Sequence, residues 1–154
     1  MSIPVHVVTL EKELVDLAER IRTAGTVALD VETTALEFTK AELAGISFAL
    51  DDAGYYVPFL APAGNTVDLD TFRRILGGIL SDPRIGKTGH NLKFDILHLR
   101  RHDMEVKGIA DDTMVMSYLL YPNRRSHKLK ELSAEFLNFR QTTWDELVGS
   151  GRSQ

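Results

Sequence analysis

The chain has 154 residues, 44% of them hydrophobic, enough mass for one domain with its own core. It lacks cysteine, which excludes disulfides and thiolate metal sites, and 18 basic against 22 acidic residues leave a net charge of −4, which argues against broad electrostatic wrapping of duplex DNA. It carries no run of about eighteen apolar residues and no basic-then-apolar leader, so the expectation is a cytoplasmic protein with neither membrane span nor secretory signal.

Val5-His6-Val7-Val8 reads as an opening strand. Thr9 to Gly25 reads as a helix, with Thr9 offering a cap, Leu14, Leu17, Ala18 and Ile21 forming an apolar stripe and Gly25 as the stop. Strands follow at Val27–Asp30, Leu43–Leu50 and Tyr55–Phe59, the last two joined as a hairpin by Asp51-Asp52-Ala53-Gly54. Asp68 or Asp70 starts a helix through Leu80. A short strand at Ile85-Gly86-Lys87 precedes a helix that opens at Asn91, a plausible N-cap, and runs to about His102 with Leu92, Ile96 and Leu99 inward. Further helices are expected after Asp112, with Asp111 or Asp112 as its cap, and from about Lys128 to Phe139. His98 and His102 are expected at the surface. Three antiparallel strands followed by a βα alternation predict a mixed sheet flanked by helices, in a single domain over residues 1–154.

The segment Asp30-Val31-Glu32-Thr33-Thr34-Ala35-Leu36 is the most informative. Side chains alternate along a strand, so Asp30 and Glu32 leave one face together at the strand's end. Two like charges held that close repel unless a cation sits between them, and oxygen-only ligands favour Mg²⁺ or Mn²⁺ over zinc. Alone, the pair reads first as a solvated strand end. Asp95 lies one turn into the helix after Asn91, displaced from that helix's apolar stripe, where a helix dipole alone would accommodate it. Three carboxylates near the carboxyl edge of one sheet are, however, how cation-dependent phosphoryl-transfer sites are assembled.

Asp30-x-Glu32-Thr33-x-x-Leu36, followed by Asn91-Leu92-Lys93-Phe94-Asp95, resembles the first two motifs of DEDD-type 3′–5′ exonucleases, most closely the proofreading domain of bacterial DNA polymerase I (polymerase family A). The likeness covers nearly the whole chain. Leu43–Ala49 and Tyr56-Val57-Pro58 are similar to the family's second and third strands, and Gly108–Met114 and Leu132–Glu135 to its later helices. The resemblance implies a ribonuclease H-like fold, with five strands in the order 3-2-1-4-5. It implies removal of nucleotides one at a time from a single-stranded DNA 3′ end, with two divalent ions, Mg²⁺ or Mn²⁺, clamping the scissile phosphate. Asp30 would bridge the ions, Glu32 would hold the water-activating one, and Asp95 would reach the second through its water shell. Leu36 and Trp144 match positions that contact terminal bases, Thr33 a position that bonds the terminal nucleotide, and Asn91 one that touches substrate or metal-bound water. For each there is a plain structural alternative: loop anchor, core packing, turn hydroxyl and helix cap respectively. Polymerase and flap-nuclease domains of the same parent protein are the implied partners.

One departure stands out. The family's third motif, a Tyr or His and an Asp four residues apart on a helix beyond the counterpart of Trp144, has no match before Gln154. The last metal ligand and the helix that carries it are therefore expected to be missing. A catalytically inactive nucleic-acid-binding or structural module is the rival expectation, and an RNA-trimming relative of ribonuclease D a weaker one. In Arg124-Arg125-Ser126-His127-Lys128-Leu129-Lys130, phosphate contact and a solvated loop are both open readings.

Overall fold

The computed structural model describes residues 3–35, 37, 39–61, 64–142 and 146. In chain order it builds β1 (Val5–Val7), α1 (Glu11–Ala24), β2 (Thr26–Thr33), β3 (Leu43–Ala49), β4 (Gly54–Pro58), α2 (Leu69–Ser81), β5 (Gly86–Gly89), α3 (Leu92–Arg101), β6 (Ile109–Asp112), α4 (Thr113–Leu120) and α5 (Leu129–Leu137). Two compact units emerge, Met1–Thr113 and Met114–Gln154.

The first unit holds the sheet, in the order β1-β4-β3-β2-β5-β6. Five of its strands, β4-β3-β2-β5-β6, follow the expected 3-2-1-4-5 order. The sixth is β1, which pairs in parallel with β4 at the edge. β3 runs antiparallel to both β2 and β4, while β5 runs parallel to β2 and β6 parallel to β5. Ile109–Asp112 thus forms a strand, correcting the helical reading of Gly108–Met114. Helical geometry begins only at Thr113.

The helices on this unit form for the reasons their spacing suggests. α1 buries Leu14, Leu17, Ala18 and Ile21 and stops at Gly25, whose φ of 71° is left-handed and whose N–H donates to the Ile21 carbonyl. Thr9 is not its cap. The Glu13 carboxylate instead accepts from the N–H groups of Thr9 (2.9 Å) and Leu10 (3.1 Å), satisfying donors the first turn leaves orphaned. α2 is capped by Asp68, whose Oδ1 accepts from the Thr71 N–H at 2.9 Å. Its Phe72 is fully buried, stacked on Phe48 and edge-on to Phe59 at centroid distances of 6.3 and 5.0 Å. β2 and β3 alternate, so Val27, Leu29, Val31, Ile46 and Phe48 point into this core. The opposite face of β2 carries Ala28, Asp30 and Glu32.

In the second unit, α5 is capped at its end by Asn138 in a left-handed conformation. Buried Ser117 and His127 share a 2.8 Å hydrogen bond, and the Tyr118 ring stacks on His127. Arg124 pairs with Glu135 and lies over the rings of Tyr121 and Phe136. That cation of the basic segment is engaged within its own unit.

Candidate active site

The sheet topology decides where chemistry can be assembled. β2 and β5 are parallel neighbours, so their carboxyl ends lie at one edge, with Ala28 level with Thr88. The end of β2 delivers Asp30 and Glu32, and the chain leaving β5 enters α3, which carries Asp95. The strand order reverses direction beside β2, the usual location of a ligand crevice in open α/β sheets.

Close approach of these two segments depends on Gly89. A Cβ there would lie 2.4 Å from Leu92 Cδ2 and 3.0 Å from the Leu29 carbonyl oxygen. No side chain fits between the end of β5, the first turn of α3 and the strand residue preceding Asp30.

α3 starts without help from Asn91. That residue holds φ 66°, in the left-handed region, and its side chain makes no capping bond. The capping role falls to Asp112 at the end of β6, whose two carboxylate oxygens accept from the N–H groups of Asn91 (3.0 Å) and Leu92 (2.8 Å). Asp112 therefore caps α3. Next in sequence, the Thr113 hydroxyl donates to the Gly89 carbonyl at 3.1 Å and sits 2.9 Å from His90 Nδ1. β6 and its exit thus pin the turn that leads to Asp95.

Asp95 lies on the inward stripe of α3, three residues after Leu92 and four before Leu99, and is 2% exposed. Its Oδ1 accepts from the Val31 N–H at 2.8 Å. The bonded amide belongs to the residue between Asp30 and Glu32, so the third acid is fastened to the strand that bears the other two. His98, one turn further on, is also buried and packs against Phe94 at 4.4 Å between ring centroids, which corrects the surface placement expected for it.

The electrostatics follow from this arrangement. Burial pushes the Asp95 carboxyl up to about 6; the Val31 N–H pulls the other way, and the charge of Asp30 adds to the rise. Crowding by protein raises Asp30, partly offset by His90, and raises Glu32, with repulsion from Asp30 adding to it. A β-bulge follows Glu32, where the register with β3 shifts at Thr33. There the Thr33 hydroxyl donates to the Ala35 carbonyl at 3.0 Å, a turn-stabilising bond. Leu36 and Trp144 lie outside the described residues.

The donor set is all oxygen and its members disfavour each other's charge, so a hard divalent cation suits it. It does not close a cage. Among the described residues, no three of His, Cys, Asp and Glu converge tightly enough to enclose an ion. The fit is that of an open carboxylate face, with Asp30 and Glu32 forward and Asp95 committed by one oxygen to the backbone. Asp112, Thr113 and His90 were not singled out from sequence as parts of this site. Their signal was weak, because an acid-threonine pair before a helix reads first as that helix's own cap.

A family model described as 3′-5′ exonuclease matches residues 5–154. DNA polymerase I of Chloroflexus aurantiacus is 32% identical over 98% of the chain, and that of Rhizobium leguminosarum 31% identical over 95%. The chain spans about 16% of the length of each of these relatives. Among solved structures, Trypanosoma brucei RNase D superposes with a TM-score of 0.77 at 17% identity, covering 97% of this chain and 54% of that one. Brucella melitensis NrnC with bound Mg²⁺ superposes at 0.70 and 22% identity, covering 100% and 70%. These two likenesses speak for the fold.

Proposed function

We propose, since the chain belongs to the 3′–5′ exonuclease family, that its acidic face hydrolyses the terminal phosphodiester at a single-stranded DNA 3′ end, as the proofreading part of a DNA polymerase I-like protein. The observation that carries this reading is the Val31–Asp95 hydrogen bond, which holds an acid from α3 against the strand end bearing Asp30 and Glu32. Asp30 and Glu32 would hold Mg²⁺ or Mn²⁺, with Asp95 behind them; a cation so bound neutralises phosphate charge and lowers the pKa of water.

The chain's own residues supply position. β2 presents its acids in a fixed register, and a bulge follows Glu32. The first N–H groups of α3 are taken by Asp112 and are not available to a phosphate. By family resemblance Leu36 and Trp144 would serve as base contacts, with aromatic stacking worth roughly 1–3 kcal/mol per base and indifferent to sequence. Thr33 and Asn91 would be further substrate contacts by the same resemblance. Polymerase and flap-nuclease domains would accompany this one in a parent protein, in keeping with the length of its relatives.

A second reading has its own observation. With no match to the family's Tyr/Asp motif in its sequence, the chain would act as a catalytically inactive nucleic-acid-binding or structural module. The test is release of nucleotides from a 3′-labelled single strand, comparing this chain with a longer one that carries the Tyr/Asp motif. Cation-dependent excision by the longer chain supports the enzyme, and excision by neither supports the module. Preference for an RNA end over the matched DNA end would move the assignment to an RNA-trimming enzyme.

A further inference from the structure

Tyr56 and Gly45 form an arrangement on the acidic face that the three carboxylates do not explain. Strand pairing aligns Asp30 with Ser47 and Ser47 with Tyr56 across β2, β3 and β4, and it aligns Glu32 with Gly45 and Gly45 with Pro58. Tyr56 therefore starts on the row of Asp30. Its side chain leans diagonally onto the neighbouring row. A Cβ built on Gly45 would lie 2.4 Å from the Tyr56 hydroxyl oxygen and 2.6 Å from both Cε2 and Cζ. The phenol end thus occupies the space that any other residue at position 45 would fill, and the next strand over on that row carries Glu32.

Glycine inside a central strand costs stability, because it packs nothing and loses more backbone entropy than other residues. Gly45 adopts no left-handed conformation that would require glycine. Its use is the groove. Through that groove a half-buried tyrosine from β4 crosses over β3 and walls the acidic face on the side opposite α3.

We propose that Tyr56 is a positioning residue for Glu32, its hydroxyl laid through the Gly45 groove so that the Glu32 carboxylate keeps one orientation on the acidic face. The inference rests on the reading of Glu32 as a cation ligand. The Glu32 side chain is otherwise exposed and long, with rotamer freedom that a ligand must lose before it can bind. Partners that orient a ligating carboxylate typically govern about 10–100-fold of metal affinity. Burial together with the Glu32 charge raises the Tyr56 phenol above its usual range, which agrees with the two groups being neighbours.

The experiment measures Mn²⁺ affinity of the whole chain, without nucleic acid, by titration calorimetry or electron paramagnetic resonance, alongside thermal melting. Tyr56→Phe keeps the ring and removes only the hydroxyl. It is expected to bind Mn²⁺ about tenfold more weakly with its melting temperature unchanged. Gly45→Ala is expected to lose a similar factor by displacing the ring, and to melt lower. Glu32→Gln sets the reference loss. Wild-type affinity in Tyr56→Phe beside clear weakening in Glu32→Gln overturns the role of Tyr56 and leaves Glu32 as a ligand. Wild-type affinity in Glu32→Gln, or no uptake of Mn²⁺ by the unaltered chain, removes the ligand reading and this inference together.

Discussion

The Val31 N–H donates to Asp95 Oδ1 across 64 residues of sequence, at 2.8 Å and out of contact with water. One backbone amide, lying between two strand-end acids, fixes the distance from those acids to a third. The bond is bought at an electrostatic cost: a carboxylate 2% exposed, beside Asp30, holds its proton up to about 6.

That cost predicts an unusual pH dependence. The Asp95 pKa rises from 3.8 unfolded to about 6 folded, so the folded state binds the extra proton between those values. The stabilisation is complete below about pH 4 and is lost as pH rises through about 6, an effect on the order of 2–3 kcal/mol for a buried group. Asp95→Asn keeps an oxygen for the Val31 N–H and carries no charge. Denaturant unfolding should show it more stable than the unaltered chain at pH 7.5, with a flatter profile between pH 4 and 6. A less stable Asp95→Asn at neutral pH would mean that the ionised carboxylate is favoured where it sits.

Asp112 makes two charge-assisted bonds to the start of α3. Asp112→Ala should cost about 1–2 kcal/mol, the usual value of a helix cap. It should also loosen the turn at Asn91, read by faster amide exchange at Asn91 and Leu92. Asp112→Asn, which keeps one acceptor, should fall between. Unchanged exchange at those amides in Asp112→Ala would place the cap elsewhere.

Much of this was legible beforehand. Period-two alternation in Val27–Asp30 puts Asp30 and Glu32 on one face, Asp68 caps α2 as its side chain suggests, and the β3–β4 hairpin closes around Ala53. What stayed hidden depends on long-range pairing. β6 was read with the helices because Ile109–Asp112 has little apolar content of its own and is a strand only by lying beside β5. Asn91 looked like a cap because asparagine usually is one, and Asp112 supplies the competing carboxylate from 20 residues away. The Phe94–His98 contact is, by contrast, a local one: four residues apart on α3, the two rings share a helix face. Asp95 looked displaced from the apolar stripe, yet its spacing from Leu92 and Leu99 puts it on that stripe.

Gly89 offers a test of the close approach between the two motif-bearing segments. Gly89→Ala places a methyl against Leu92, which can shift, and against the Leu29 carbonyl, which cannot. The expected cost is about 1–3 kcal/mol of stability, as for other overpacked sites. If the approach matters to the site, Mn²⁺ affinity should fall as well. A drop in melting temperature with affinity intact would separate packing from site assembly.

The most direct measurement is cation-dependent excision by Asp30→Asn, made in a longer chain that carries the third motif and compared with that chain unaltered. Asn keeps the size of Asp30 and removes its charge. The account predicts a loss on the order of a thousandfold or more, about 4 kcal/mol of barrier, with the fold retained by circular dichroism. Excision within about tenfold of the unaltered chain, or activity indifferent to chelation of divalent cations, would contradict it.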